Sequence, residues 1–189
     1  MKKLVILVSG SGSNLQRIIE AVAAEEITNA EIALVVADRA CYGIERAAAQ
    51  SFKTLLIPRG KDFSAQLEAA LPEDTALIVL AGFLSILSEE FCRAHAGKII
   101  NIHPALLPKY GGKGMWGHHV HQAVLNAQEL QSGATVHYVT AGIDEGAVIL
   151  QDCFTIEPGD DVAALARKVQ QVEHRIYPQA IEKVLNETS

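Results

Sequence analysis

Five short apolar runs, separated by segments of helical spacing, constrain the fold of this chain more than any other feature. The runs occupy residues 4–8, 32–37, 54–57, 76–81 and 98–102. Strands that are apolar on both faces are typical of a parallel sheet covered by helices on both sides. The first intervening segment places Leu15, Ile18 and Ile19 on one helix face. We therefore predict a doubly wound, mostly parallel α/β sheet of the Rossmann-like kind.

The chain changes character after residue 101. Glycines and prolines predict a loop over 103–117, followed by a helix over 118–127. Two further apolar runs, 134–139 and 148–156, have no long crossover between them, so they predict antiparallel strands that extend the sheet. An amphipathic stripe beginning at Val162 predicts a long C-terminal helix. A length of 189 residues suits a single domain spanning 1–189.

Composition excludes several classes of partner. The formal net charge of -6 disfavours extended contact with nucleic acid phosphates. The three cysteines are scattered, which favours reduced thiols in a cytoplasmic protein over a disulfide framework. The apolar run after Lys2 and Lys3 is too short for a signal peptide, and no run reaches the length of a membrane span. We expect a cytoplasmic protein without nucleic acid or membrane partners.

The turn between the first strand and the first helix has the composition of a phosphate site. Residues 9–14 read Ser-Gly-Ser-Gly-Ser-Asn, and the glycines let the backbone approach a ligand. A helix N-terminus directs free N–H groups at an anion, and Ser13 and Asn14 can add side-chain donors. An ordinary turn capped by Ser or Asn is the alternative.

A dinucleotide fingerprint is a second alternative for the same turn. It would begin at Gly10 and Gly12 and use Asp38 to hold a ribose. The fingerprint expects a third small residue where Leu15 stands, so a single phosphate suits this turn better.

Polar side chains close the fifth strand in Asn101-Ile102-His103-Pro104. Asn101 and His103 share one strand face, at the edge where open α/β sheets bind ligands. An Asn amide can donate to an oxyanion, and a His can move a proton near neutral pH. Asp144, in a turn between two strands, could orient that His. Each residue also has an ordinary structural explanation, and the spacing alone leaves the function open.

Three histidines, His118, His119 and His121, lie close together in sequence. No Cys, Asp or Glu stands at ligand spacing beside them, so we expect no metal site. Trp116, in the preceding loop, covers a ligand or packs on the surface.

Together, several blocks in this order resemble the phosphoribosylglycinamide formyltransferase family. They are Ser-Gly-Ser-Gly-Ser-Asn-Leu at 9–15, Ala-Gly-Phe-Leu-Ser-Ile-Leu at 81–87, Asn-Ile-His-Pro-Ala-Leu-Leu-Pro-Lys-Tyr at 101–110, Ile-Asp-Glu-Gly at 143–146 and Glu-His-Arg-Ile-Tyr-Pro at 173–178. The resemblance covers nearly the whole chain. It implies the formyltransferase variant of the Rossmann-like fold, with a phosphate-binding half over 1–100 and a catalytic, folate-binding half over 101–189.

The resemblance also implies an activity and a set of site residues. The formyl group of 10-formyltetrahydrofolate, a co-substrate, would pass directly to the amino group of glycinamide ribonucleotide, without a metal. Asn101 would hold the oxyanion, His103 would assist proton transfer, and Asp144 would tune the charge of His103. The implied ribonucleotide-binding residues are Gly12, Ser13, Asn14, Pro104, Gln170 and Glu173. The implied folate-binding residues are Leu84, Ser85, Leu87, Val139, Thr140 and Ile143, and the implied cleft wall is His119, His121 and His137.

This chain departs from the family pattern in two places. Ser85 stands where many relatives carry Arg, and the loop over 109–117 is longer than in many relatives. Related formyltransferases acting on sugar amines or initiator tRNA, and a formyltetrahydrofolate hydrolase, share the Asn-x-His-Pro block. The hydrolase and the tRNA enzyme typically carry a further domain, for which we expect no room here. A non-catalytic nucleotide-binding module would have no need for the three polar residues together. We expect a monomer or a homodimer.

Overall fold

The computed structural model describes residues 1–187, in which seven strands form one sheet flanked by helices. The strands are β1 (Lys2–Val8), β2 (Ala30–Ala37), β3 (Thr54–Leu56), β4 (Thr75–Leu80), β5 (Ile99–His103), β6 (Gln131–Tyr138) and β7 (Val148–Thr155). The helices are α1 (Ser13–Ala23), α2 (Tyr42–Ala49), α3 (Phe63–Ala70), α4 (Glu89–Ala94), α5 (His118–Asn126) and α6 (Val162–Glu187). Within residues 1–187, no helix has the length and apolar character needed to cross a bilayer.

Two cores lie on opposite faces of the sheet. Alternate residues of β1 divide between them: Leu4 and Ile6 pack with α1 and α6, whereas Val5 and Leu7 pack with α3 and α4. All four side chains are fully buried, and each contributes roughly 1.5–3 kcal/mol through burial. This two-sided burial explains why the apolar runs are nearly continuous.

The sheet has the order β3-β2-β1-β4-β5-β6-β7. Pairing is parallel from β3 to β5 and antiparallel from β5 to β7, which confirms the predicted parallel sheet and its antiparallel extension. The chain leaves β1 toward β2 on one side and returns to β4 on the other. The loops after these strands therefore meet in a crevice at the carboxyl edge, where open α/β sheets bind ligands.

The starts of α4 and α1 differ in how they are capped. At α4 the Ser88 hydroxyl accepts from the Phe91 N–H at 3.2 Å and so caps the helix. At α1 the N-cap is Gly12, with φ 72° and no side-chain cap, so a Ser or Asn cap is wrong there. A Cβ on Gly12 would lie 2.6 Å from the Gly43 Cα. Only glycine fits this left-handed, tightly packed position, and the first N–H groups of α1 remain available to a ligand.

Tyr177, on α6, ties this long helix to the centre of the sheet. Its side chain is fully buried, and its hydroxyl donates to the Leu80 carbonyl at 2.6 Å and lies 3.4 Å from the Ile100 carbonyl. Burial raises the pKa of the phenol well above its usual value, so the hydroxyl keeps its proton. The contact joins α6 to the last residue of β4 and to the second residue of β5.

Replacing Tyr177 with Phe removes this hydrogen bond while preserving the ring. We expect Tyr177→Phe to lower the free energy of unfolding by about 1–2 kcal/mol, because a buried carbonyl loses a partner. Urea unfolding followed by circular dichroism measures the change. The matched control is Tyr42→Phe, since Tyr42 is 60% exposed. An equal loss in both variants would contradict the role given to the buried hydroxyl.

Candidate active site

The carboxyl end of β5 carries two of the predicted polar residues. Asn101 and His103 lie two positions apart on the strand, and His103 is only 4% exposed. Antiparallel pairing places His137 of β6 opposite Asn101, and Thr135 opposite His103. The Asn101 Nδ2 lies 3.4 Å from the His137 Nε2. This pairing therefore adds a second histidine to the two residues that the strand itself supplies.

Asp144 brings a carboxylate to both histidines. Its Oδ2 lies 3.4 Å from the His103 Nδ1, and its Oδ1 lies 3.5 Å from the His137 Nε2. The residue has φ 57°, a left-handed conformation that few non-glycine residues adopt. At nearby Gly146 a Cβ would lie 1.7 Å from the Tyr138 carbonyl oxygen, so only glycine fits the turn that presents Asp144.

Both ring nitrogens of His103 face acceptors. The Nε2 lies 2.7 Å from the Tyr110 carbonyl oxygen, and the Nδ1 faces the Asp144 carboxylate. Burial lowers the pKa of His103, against the opposing effect of Asp144 and the Tyr110 carbonyl. The imidazole is thus neutral near pH 7, but its surroundings are arranged to receive a second proton. Such a group suits proton transfer.

Asp144 remains ionised despite its burial. Burial alone would raise its pKa, but the hydrogen bond with His137, the nearby His103 and the Gly112 N–H together hold the pKa below its usual value. The Gly112 N–H donates to Oδ2 at 3.0 Å. A negative charge therefore persists between the two histidines at neutral pH.

Three groups in this arrangement carry no clear signal in the sequence. The Tyr110 carbonyl and the Gly112 N–H are backbone groups, which residue type does not reveal. Thr135 is fully buried, and its hydroxyl accepts from the Leu107 N–H at 3.1 Å and donates to the Ala105 carbonyl at 2.7 Å. Thr135 thereby holds the loop that follows β5, and its alternation with His137 along β6 is the only sequence hint.

The turn at residues 9–14 is joined to α6 by two side-chain hydrogen bonds. Gln170 donates to the Ser13 hydroxyl at 3.1 Å, and Asn14 donates to Glu173 at 3.2 Å. Burial raises the pKa of Glu173 to about 7, although the Asn14 amide opposes the rise. The structure thus brings five of the six predicted ribonucleotide-binding residues together at one helix N-terminus, with Gly12 as its N-cap. Pro104 follows β5 directly and is partly buried.

The predicted folate-binding residues occupy two loops, after β4 and after β6. Leu84 and Ile143 are exposed by 51% and 41%, whereas Leu87 is buried. The remaining ones are Val139, whose N–H donates to the Ile99 carbonyl at 2.9 Å, the exposed Thr140, and Ser85, whose hydroxyl donates to Asp38 at 2.5 Å.

Asp38 has a different environment from the ribose ligand of a dinucleotide site. Its side chain is fully buried and binds Arg39 and Ser85. The carboxylate therefore lacks the free acceptor face that a ribose would need, and Leu15 is fully buried in the position where that fingerprint expects a small residue.

The predicted cleft-wall histidines have different environments. His121 is buried and lines a cavity of about 610 Å³ between α5 and α6, and burial lowers its pKa. His119 is exposed, with its ring 4.9 Å from that of Trp116. Trp116 is itself 51% exposed and packs on α5 at the surface. Over the described range 1–187, no three His, Cys, Asp or Glu side chains form a group that could hold a metal.

Comparisons with known proteins agree on one family. The family model described as formyl transferase matches residues 2–181. The phosphoribosylglycinamide formyltransferase of Haemophilus influenzae is 38% identical over 192 residues, which cover 96% of this chain and 86% of that protein. The crystal structure of glycinamide ribonucleotide transformylase 1 from Symbiobacterium toebii matches with a TM-score of 0.91 at 35% identity, covering 99% of this chain and 89% of that chain.

A larger relative contains a region similar to this chain. The trifunctional purine biosynthetic protein adenosine-3 of Drosophila pseudoobscura pseudoobscura is 41% identical over 189 residues. The match covers 95% of this chain but only 13% of that protein. The similarity to this relative therefore concerns a small part of its length.

The raised pKa of Glu173 predicts a pH-dependent stability difference. The unfolded carboxyl loses its proton near pH 4.5 and the folded one near pH 7, so the folded state binds more protons in between. The contribution of Glu173 to stability therefore falls as pH rises across this range. We expect the free energy of unfolding of Glu173→Gln, relative to that of the parent, to increase by about 1–3 kcal/mol from pH 5 to pH 8. Urea unfolding at both pH values measures it, with exposed Glu20→Gln as the control. A constant difference between parent and variant would contradict the raised pKa.

Proposed function

Since the chain belongs to the formyl transferase family, we propose that it transfers the formyl group of 10-formyltetrahydrofolate to the amino group of glycinamide ribonucleotide, a step of purine biosynthesis. The observation that carries this proposal is the Asp144 carboxylate held between His103 and His137, next to Asn101. A module that only binds nucleotides needs no such arrangement. The relatives named phosphoribosylglycinamide formyltransferase support the choice of substrate.

The reaction follows from direct attack of the substrate amine on the formyl carbon. A C–N bond forms to the ribonucleotide, and the formyl oxygen becomes an oxyanion. Asn101 is partly exposed, and its amide N–H donates to this oxyanion. The bond to N10 of the folate then breaks, and the proton lost by the amine is delivered to N10.

His103 and Asp144 assist the proton movement. The neutral imidazole of His103 accepts a proton as the amine becomes positive, and Asp144 stabilises the resulting imidazolium. Because the pKa of His103 is lowered, the imidazolium also gives up its proton readily. The rest of the rate enhancement comes from holding two substrates in contact.

The ribonucleotide binds at the turn after β1. The uncapped N-terminus of α1, at Gly12, Ser13 and Asn14, holds the phosphate. Gln170, Glu173 and Pro104 line the path toward the glycinamide end. With a pKa of about 7, Glu173 is largely ionised above neutral pH and can accept hydrogen bonds from the glycinamide nitrogens.

The folate occupies the loops after β4 and β6. Leu84 and Ile143 offer exposed apolar surface to the pteridine, and the backbone around Val139 and Thr140 offers hydrogen bonds. Leu87 is buried and packs beneath this surface. The Ser85 hydroxyl stabilises the loop by its hydrogen bond to Asp38. The histidines His121 and His137 contribute to the cleft wall on the side of His103, and His119 contributes at its outer rim.

We further propose that these two small molecules are the ligands of the site, without a metal. The net charge of -6 supports the absence of a nucleic acid partner. The chain would act as one domain in the cytoplasm, as a monomer or a homodimer.

A spectrophotometric assay of folate product tests the function. We expect product from 10-formyltetrahydrofolate only when glycinamide ribonucleotide is present. Asn101→Ala should lower kcat roughly 100- to 1000-fold, because the oxyanion loses a donor. His103→Asn should lower kcat by roughly 100-fold or more, because proton transfer loses its acceptor.

Two matched variants serve as controls for this assay. Asn126→Ala, on α5, and His95→Asn, beside Glu68 and before the amino end of β5, make comparable changes outside the proposed site. Both should retain the parent rate. Product release without ribonucleotide would indicate the hydrolase instead, and no release under either condition would rule out the proposed transfer.

A further inference from the structure

Asp38, at the carboxyl end of β2, holds a buried charge beside the proposed ribonucleotide site. Its carboxylate receives Arg39 at 2.9 Å on Oδ1 and at 2.8 Å on Oδ2, and the Ser85 hydroxyl at 2.5 Å on Oδ2. Arg59 lies 3.7 Å away from Oδ2. The side chain itself is fully buried. Asp38 is therefore a buried carboxylate that hydrogen bonds hold in place at the crevice, rather than a surface residue.

The same carboxylate interacts with the phosphate turn through Ser9. The Ser9 hydroxyl accepts from the Leu84 N–H at 2.8 Å, and its interaction with Asp38 lowers the pKa of that carboxyl. The Ser9 N–H donates to the Gly82 carbonyl at 3.1 Å. The first residue of the phosphate turn thus holds the loop after β4 at two points.

The ionisation of Asp38 determines which groups of this network donate hydrogen bonds and which accept them. Burial would raise its pKa, but hydrogen bonds from Arg39, Ser85 and Ser9 hold the pKa below its usual value. An ionised carboxylate only accepts hydrogen bonds, so both hydroxyls must point their protons at it. The lone pairs of the Ser9 oxygen are then left to receive the Leu84 N–H. Hydrogen bonds to a charged group are stronger than those between neutral groups.

We propose that Asp38 is a positioning residue that sets the loop over 82–87 against the phosphate turn over 9–14. The inference rests on the proposed function, in which the loop binds the folate and the turn binds the ribonucleotide. Ser85 is the residue that ties the folate loop to Asp38. Its two neighbours, Leu84 and Ile86, are 51% and 75% exposed, so the loop has little apolar anchoring of its own at this point.

Substitutions of Ser85 and Asp38 should change the KM values for the two substrates differently. Ser85→Ala releases the folate loop alone, so we expect the KM for 10-formyltetrahydrofolate to rise about fivefold, with the KM for ribonucleotide within about twofold of the parent. Asp38→Asn weakens both attachments, so both KM values should rise about fivefold or more. Because Ser85 acts through Asp38, Asp38→Asn/Ser85→Ala should resemble Asp38→Asn alone in its folate KM.

Steady-state kinetics with each substrate varied in turn measures these values. The parent enzyme is assayed first, so a failure of the proposed function appears as absent transfer in the parent. The control for charge removal is Asp74→Asn, on the surface beside Lys3, which should leave both KM values unchanged. Thermal unfolding of each variant monitors stability separately.

Either of two results would overturn the proposal. One is a folate KM for Ser85→Ala within twofold of the parent, since the loop would then not depend on Asp38. The other is a loss of thermal stability in Asp38→Asn with both KM values unchanged, since Asp38 would then be merely structural. If Asp38→Asn does not fold, the Ser85→Ala result alone decides.

Discussion

Strand β5 bonds to a parallel strand on one side and an antiparallel strand on the other, and the site depends on this position. Pairing with β4 ends at Asn101, whereas pairing with β6 continues to His103. The last residues of β5 therefore border a crevice on the β4 side while β6 supports them on the other. The antiparallel neighbour also places His137 opposite Asn101. A parallel neighbour would instead need a crossover connection, usually a helix, before its strand could pair with β5.

Three carboxylates near this crevice differ in charge because their surroundings differ. Asp144 and Asp38 have lowered pKa values, since histidines, arginine, hydroxyls or an N–H outweigh their burial. Glu173 has only the Asn14 amide to oppose burial, and its pKa rises to about 7. Two permanent charges thus organise the loops and the histidine pair, while the third titrates near neutral pH beside the proposed ribonucleotide site.

Much of the fold could be predicted from the local sequence pattern, and the features that could not be predicted have physical causes. The apolar run predicts a first strand from Leu4, but β1 begins at Lys2, whose backbone pairs with Ala30 whatever its side chain. The local sequence pattern does not predict the hydrogen bonds of Asp38, because Ser85 lies 47 positions further along the chain. The role of Tyr110 escapes it as well, since its contribution is a backbone carbonyl at a left-handed residue.

The electrostatic coupling of Asp144 to His103 is the central claim, and it can be measured directly. NMR titration of the histidine ring protons gives the pKa of His103 in the parent and in Asp144→Asn. The charge of Asp144 raises this pKa against the effect of burial, so its removal should lower the value further below 6.5. A pKa of His103 that stays the same or rises in Asp144→Asn would contradict the account.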